Sequence, residues 1–283
     1  MKILLTGAAG FTGLFFKSAA EAADHQVVAL QADLTDKAAV AAEVLQAAPD
    51  VVVHLAAISF VGHADDTAFY GVNVLGTMNL LAGLAVLPVK PSKVLLASSA
   101  NIYGNCDASP ITENQPAAPV NHYAMSKLAM EHMAWTYLDK LPIVITRPFN
   151  YTGPGQAPQF LIPKLVNHFV RRASAIELGN LHVEREFNDL RMVCDAYLAL
   201  LAHGVPGEVY NVCSGQPYTL QHVIGLLSGI TGHTMDVQVN PAYVRANEVH
   251  RLCGSPDKLL AFTGPLRPYA LEATLAWMLE NQK

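Results

Sequence analysis

Short apolar runs alternate with longer stretches whose apolar residues recur at helical spacing, and this alternation fills the first half of the chain. Lys2 to Thr6, Gln26 to Leu30, Asp50 to Leu55, Ser92 to Ala97 and Pro142 to Thr146 read as strands. Between them Phe11 to Ala22, Asp36 to Ala47, Thr67 to Leu87 and Tyr123 to Leu138 read as helices. Strands joined by helical crossovers imply a parallel sheet with helices on both faces, so the predicted class is α/β, a Rossmann-like doubly wound sheet. After Arg147 prolines and glycines become more frequent and apolar runs shorten, with helices predicted near Pro158 to Arg171, Met192 to Leu201 and Thr219 to Ile230. This divides the chain into a sheet-forming part, residues 1–147, and a smaller second part, residues 148–283, some of whose segments return to the sheet. Ligands of such sheets bind outside the carboxyl ends of the strands, so a cleft between the two parts is the expected site.

Composition narrows the picture. Of 283 residues 52% are hydrophobic and 14% charged, which excludes a disordered chain. With 18 Lys and Arg against 23 Asp and Glu, there is no basic surface for nucleic acid. The most membrane-like stretch, Gly71 to Val89, carries Asn73, Asn79 and Pro88 and reads as a buried helix. Met1-Lys2 leads straight into an apolar strand and a glycine turn rather than into a signal-peptide pattern, so a cytoplasmic protein without a membrane partner is expected. Cys106, Cys194, Cys213 and Cys253 are too scattered to suggest a zinc site or a disulfide framework.

The first strand runs into Gly7-Ala8-Ala9-Gly10-Phe11-Thr12-Gly13, which opens a helix. Glycines there let the backbone approach a pyrophosphate, while the free N–H groups and positive end of the helix attract its charge. The strand–turn–helix context makes Gly7, Gly10, Phe11, Thr12 and Gly13 candidates for holding a dinucleotide. Asp33 and Leu34 follow the second strand and could reach an adenine, although a turn or capping role for Asp33 fits as well. No acid or arginine stands cleanly where a ribose 2′-group is read, which leaves NAD and NADP both open.

Tyr123 and Lys127 lie four residues apart on a predicted helix, so both project from one face. An ammonium beside a phenol favours the phenolate, and Lys127 is therefore expected to lower the Tyr123 pKa and make it a proton carrier near neutrality. Ser98-Ser99-Ala100-Asn101-Ile102-Tyr103-Gly104 follows the fourth strand, on the edge that also carries the glycine turn. Together these motifs resemble the extended short-chain dehydrogenase/reductase superfamily, over nearly the whole chain. The resemblance includes His54-Leu55-Ala56-Ala57 after the third strand and Asn73-Val74-Leu75-Gly76-Thr77 on the next helix. It implies that Ser99, Tyr123 and Lys127 are catalytic and that Leu55, Ala56 and Ala57 line the cofactor. Tyr123 and Lys127 would also touch that cofactor, reduced NADP or NAD, without a metal. His54 itself reads as a packed strand-end residue.

Within that superfamily, members that dehydrate a sugar carry an acid two positions before the Tyr of the S-x-x-x-Y-G segment, where this chain has Asn101. An amide cannot accept a proton at neutral pH, which argues against dehydration. Arg147 to Gln156, Gly179-Asn180-Leu181, Arg185 to Asp189 and Val209 to Gly215 resemble segments of GDP-4-dehydro-6-deoxy-D-mannose reductases. That resemblance implies reduction of a nucleotide-linked 4-keto-6-deoxyhexose to GDP-D-rhamnose. Ser99, Asn150, Asn180 and Arg185 would face the nucleotide sugar, and Arg245 and Glu248 its diphosphate and ribose. Ala246 stands where proline usually follows that arginine. A deoxytalose product, a dTDP-linked substrate, a 4-epimerase and a noncatalytic nucleotide-binding protein are the alternatives, and ion pairing is the other reading of Arg185 and Arg245. The family implies a homodimer built on the helix of Tyr123 and Lys127, which the apolar stripe Ala124, Met125, Leu128, Ala129, Met130 and Met133 permits, simple core being the other reading of that stripe.

Overall fold

The computed structural model describes residues 1–241 and 250–281. The chain begins β1 (Lys2–Thr6), α1 (Phe11–Ala22), β2 (Gln26–Ala29), α2 (Lys37–Ala47) and β3 (Val51–His54). A helical run follows: α3 (Asp66–Tyr70), a π-helical segment (Gly71–Gly76) and α4 (Thr77–Ala85). Then come β4 (Lys93–Ala97), a 3-10 turn (Ala100–Tyr103), α5 (His122–Trp135), β5 (Ile143–Pro148), β6 (Tyr151–Thr152) and α6 (Leu161–Val170). The remainder is β7 (Ala175–Leu178), β8 (Glu184–Glu186), β9 (Asn188–Asp189), α7 (Leu190–His203), β10 (Val209–Val212), β11 (Pro217–Thr219), α8 (Leu220–Thr231), β12 (Asp236–Val239), β13 (Arg251–Leu252), α9 (Asp257–Thr263) and α10 (Leu271–Glu280).

Six strands form one parallel sheet in the order β10-β5-β4-β3-β1-β2. Successive side chains of a strand point to opposite faces, and because both faces are covered the strands are apolar throughout. Ile3, Leu5, Val51, Val53, Leu95 and Val144 pack on one face with Phe16 and Ala20 of α1 and Val193, Tyr197 and Leu200 of α7. Leu4, Val52, Val94, Leu96, Ile143 and Ile145 pack on the other with α2, α4 and α5. Leaving β1, the chain turns one way through α1 to β2 and then crosses back through α2 to β3 on the opposite side. The glycine turn therefore lies at the topological switch point, where doubly wound sheets bind ligands. β2 is the edge strand, and a turn leads from its end at Ala29 into α2 at Lys37.

The helical run Asp66–Ala85 is long and apolar enough, by length and composition, to cross a membrane. Here Leu80, Leu81 and Leu84 are fully buried against the sheet, as expected of a core helix. A second core, built from α6, β7, α8 and α10, belongs to the lobe that follows β5. Its strands are two to four residues long and pair as β7 with β12, β8 with β11 and β13, and β6 with β9. β10 leaves this lobe to pair with β5 in the main sheet.

Candidate active site

The first strand end sets the cradle. Gly7 has φ +69°, in the region that favours glycine, and a Cβ there would meet the Ala56 backbone nitrogen at 2.8 Å. A Cβ on Gly13 would strike the Gly7 carbonyl oxygen, so both positions need the bare backbone. Gly10 caps α1 without any side-chain acceptor and no acidic residue occupies its first turn, so the positive end of the helix remains available to an anion. Ser98, at the carboxyl end of β4, keeps its hydroxyl buried with no partner among the described residues. A cradle that a Cβ would fill, an uncapped helix and an orphaned hydroxyl fit a dinucleotide.

Leu55, Ala56 and Ala57 sit half-buried beside that cradle, and the first two donate backbone N–H bonds to Thr6 Oγ1 at 3.2 and 3.1 Å. Since Thr6 Oγ1 accepts twice, its own hydrogen goes to His54 Nδ1, 2.7 Å away. His54 Nε2–H then donates to Thr77 Oγ1 at 2.8 Å, and Thr77 donates to the Asn73 carbonyl at 2.7 Å. The ring is thus neutral, and burial, helped by the Lys127 charge, pushes its pKa down to about 3. Asn73, in the π-helical segment, exchanges bonds with the Ile58 backbone and donates to Ser126 Oγ at 3.0 Å; Ser126 donates to the Tyr123 carbonyl at 2.8 Å. The loop after β3 and the first turn of α5 are thereby locked together.

Ser99, Tyr123 and Lys127 converge at the ends of β4 and α5, exposed by only 4, 8 and 4%. Asn121 caps α5 by accepting from Ala124 N at 2.8 Å, which fixes where Tyr123 emerges. Lys127 Nζ donates to the Ala97 carbonyl at 2.8 Å, and burial pushes its pKa down to about 8 against the upward pull of Glu131. The expectation that Lys127 acidifies Tyr123 is not met. Burial pushes the Tyr123 phenol above its ordinary value, and the opposing influence is a hydrogen bond from Ser99. The ammonium is held by the strand carbonyl instead, so the hydroxyl rather than the amine is what favours the phenolate.

The adenine-side expectations divide. Asp33 is exposed and takes a turn role, accepting from Thr35 N and Oγ1 at 2.8 Å each, bonds that hold its pKa below the ordinary value. Leu34 is buried in the helix-side core, its carbonyl accepting from Asn79 Nδ2 at 2.8 Å, so its side chain packs instead of lining a groove. Phe11 and Thr12 face the second lobe: Phe11 stacks on Tyr151 with ring centroids 6.1 Å apart, and Thr12 Oγ1 lies 2.8 Å from the Tyr151 hydroxyl. Asn150, just before Tyr151, gives its carbonyl to Asn188 N and Nδ2. Asn180 accepts from His182 N at 2.9 Å, and Arg185 pairs through β8 with Tyr218 and Leu252. Arg245 and Glu248 lie outside the described residues. Of the stripe on α5, Ala124 and Met130 are core residues whereas Met125 is 43% exposed. No cluster of three His, Cys, Asp or Glu side chains suited to a metal occurs among the described residues.

Sequence reasoning passed over two supporting residues, Glu131 and Tyr151. Glu131, one turn beyond Lys127, is buried and takes Arg147 Nε and Nη2 at 3.0 and 2.7 Å. Its position in Y-x-x-x-K-x-x-x-E, on the face of Tyr123 and Lys127, was the signal. Tyr151 carried no such periodic mark.

A doubly wound sheet with a glycine cradle at its switch point and Ser, Tyr and Lys at its carboxyl edge is the architecture of extended short-chain dehydrogenases/reductases. The family described as NAD dependent epimerase/dehydratase matches residues 3–213, and the chain belongs to it. It is 37% identical to the GDP-6-deoxy-D-talose 4-dehydrogenase of Aggregatibacter actinomycetemcomitans, covering 100% of this chain and 98% of that one. It is likewise 37% identical to the GDP-6-deoxy-D-mannose reductase of Pseudomonas aeruginosa, over 76% of this chain and 74% of the relative. The solved structure of RMD from Pseudomonas aeruginosa complexed with NADPH superposes with a TM-score of 0.92 at 32% identity, covering 99% and 98% of the two chains.

Proposed function

We propose that the protein reduces the C4 ketone of a GDP-linked 4-keto-6-deoxyhexose, GDP-4-dehydro-6-deoxy-D-mannose, using NADPH or NADH. The convergence of Ser99, Tyr123 and Lys127 at the edge that carries the glycine cradle is the observation behind this reading. When bound, the reduced dinucleotide supplies a hydride. Gly7, Gly10 and Gly13 admit its pyrophosphate, and the first turn of α1 offers N–H groups to that charge. Tyr123 hands its phenolic proton to the oxygen at C4 and Ser99 donates a hydrogen bond to the same oxygen, while Lys127, anchored on the Ala97 carbonyl, keeps two N–H groups for the bound dinucleotide. Asn101 in place of an acid leaves no base beside Ser99 for an elimination, which favours reduction over dehydration.

GDP-D-rhamnose is the product that the motifs of the second half suggest. Its C4 epimer, GDP-6-deoxy-D-talose, is favoured by the likeness to a GDP-6-deoxy-D-talose 4-dehydrogenase, which covers 100% of this chain and 98% of that one. We place the enzyme in the cytoplasm, as a homodimer that uses the exposed side of α5 around Met125. Incubation with GDP- and dTDP-linked 4-keto-6-deoxy sugars and each reduced cofactor tests the proposal, with NMR to assign the configuration at C4. Net consumption of reduced nicotinamide is expected with the GDP sugar. Interconversion of C4 epimers without net consumption would instead identify a 4-epimerase.

A further inference from the structure

We propose that Asn101 is a positioning residue whose side-chain amide commits the Ser99 hydroxyl to donate toward the oxygen being reduced. The inference rests on the reduction proposed above. A serine hydroxyl has two lone pairs and one hydrogen. On Ser99 both lone pairs are met by one residue, since Asn101 donates its backbone N–H at 3.2 Å and its Nδ2–H at 3.1 Å. The 3-10 turn Ala100–Tyr103, which Ser99 caps, is what folds residue 101 back onto the hydroxyl. With its acceptor capacity filled, Ser99 has only its hydrogen left to offer, and Tyr123 is the neighbouring group whose phenolate that hydrogen favours.

Ala100 and Ile102 on either side of Asn101 are buried, so its place is fixed by packing. A carboxylate at position 101 would reverse the polarity, because an ionised acid only accepts and would draw the Ser99 hydrogen to itself. A ketone gaining hydride needs donors around its oxygen; an elimination needs an acceptor for a proton. The amide suits the first chemistry.

Asn101→Asp and Asn101→Leu separate this role from mere support. Leucine leaves the Ser99 hydrogen free to turn toward Tyr123, so turnover should fall only about twofold to threefold, whereas aspartate diverts the hydrogen and should cost about tenfold at neutral pH. The KM for the sugar should move little in either. As the pH drops toward the carboxyl range, the Asn101→Asp enzyme should recover relative to wild type, since the protonated acid donates as the amide did, while Asn101→Leu should not. The titratable side chains that act on Tyr123 and Lys127, namely Tyr151 and Tyr197 on the first and Glu131 and His54 on the second, are unchanged in both variants. Circular dichroism and dinucleotide affinity equal to wild type establish that each variant is folded. A larger loss in Asn101→Leu than in Asn101→Asp, or an Asn101→Asp enzyme with the wild-type pH profile, overturns the inference.

A substrate-free readout keeps the two proposals apart. The ultraviolet phenolate band of Tyr123, taken as the difference from the matching Tyr123→Phe protein, should titrate at higher pH in Asn101→Asp. Most of that displacement should vanish in a Ser99→Ala background. If the wild-type protein reduces no 4-keto sugar, the reduction reading fails, and this titration still decides the role of Asn101. An unmoved midpoint, or a displacement undiminished in the Ser99→Ala background, overturns it.

Discussion

The two halves of α5 handle polarity in opposite ways. In the second, both Glu131 carboxylate oxygens take Arg147, whose Nη1 donates to the Tyr103 hydroxyl at 3.0 Å; Tyr103 donates to Asn211 Oδ1 at 2.7 Å, and Asn211 N–H to Glu113 at 2.8 Å. The network is closed. In the first half Lys127 makes one hydrogen bond among the described residues, to the Ala97 carbonyl, and the Tyr123 ring packs on Phe69, so polar capacity remains for a ligand. A helix can present half-satisfied reactive groups because its other end is fixed by a fully satisfied cluster, with Tyr123, Lys127 and Glu131 four residues apart on one buried face.

The severest way to break the contrast is to open the closed cluster. Glu131→Gln leaves the buried Arg147 guanidinium without a countercharge, which should cost about 3–5 kcal/mol in denaturant unfolding. Replacing both partners, Glu131→Leu with Arg147→Met, should restore most of that stability. The site end should also respond. Glu131 pulls the Lys127 pKa up, so its loss moves proton release below about pH 8 and starts the alkaline decline in turnover earlier. A profile unchanged in Glu131→Gln would show that the two halves are independent.

At the open half, Tyr123→Phe should lower turnover by a factor on the order of 100 or more while leaving dinucleotide affinity nearly intact. Stopped-flow consumption of reduced nicotinamide and an equilibrium fluorescence titration read the two quantities separately. Equal losses in both would place Tyr123 in binding rather than proton transfer.

His54 sharpens the contrast from beneath the site, as a closed cluster that responds to acid. Its pKa is about 3 in the fold against an ordinary 6.5, so between those values the unfolded chain binds a proton that the folded one refuses. The stability is present in full above pH 6.5 and is lost as the pH falls. Between about pH 7.5 and 5 the fold should lose about 2 kcal/mol on this account, and His54→Gln should remove that part of the slope. Urea unfolding at both pH values checks it.

How much of this was readable in the chain follows from element length and from charge. β1 and α1 begin and end as their apolar spacing predicts, and β2 to β5 differ by one or two residues at their ends, whereas β10, the sixth strand of the main sheet, was not read as a strand. β6, β9 and β13, two residues each, are too short for any alternation to be counted. The π-helical turn at Gly71–Gly76 was hidden inside a continuous apolar run. Ser99, Tyr123 and Lys127 could be marked by residue type and spacing, but the direction of the Tyr123 shift could not. It depends on burial and on where Lys127 Nζ points, to the Ala97 carbonyl, which only the packing decides.

The smallest predicted effect concerns Tyr151, the phenol that joins α1 to the second lobe. Burial pushes its pKa up to about 12, so it stays neutral across the working range, unlike a phenol that must release a proton. Tyr151→Phe keeps the stack on Phe11 and removes the bond to Thr12, which should cost about 1 kcal/mol of stability and a few-fold in dinucleotide affinity, with no change in pH profile. Combined with Thr12→Val, the losses should fall short of their sum by about 1 kcal/mol, because each single change already removes the same bond. Strict additivity would mean that the hydroxyls do not act as a pair. A shifted pH profile would mean that Tyr151 shares the proton chemistry here assigned to Tyr123, and the line between supporting and reacting phenols would have to be redrawn.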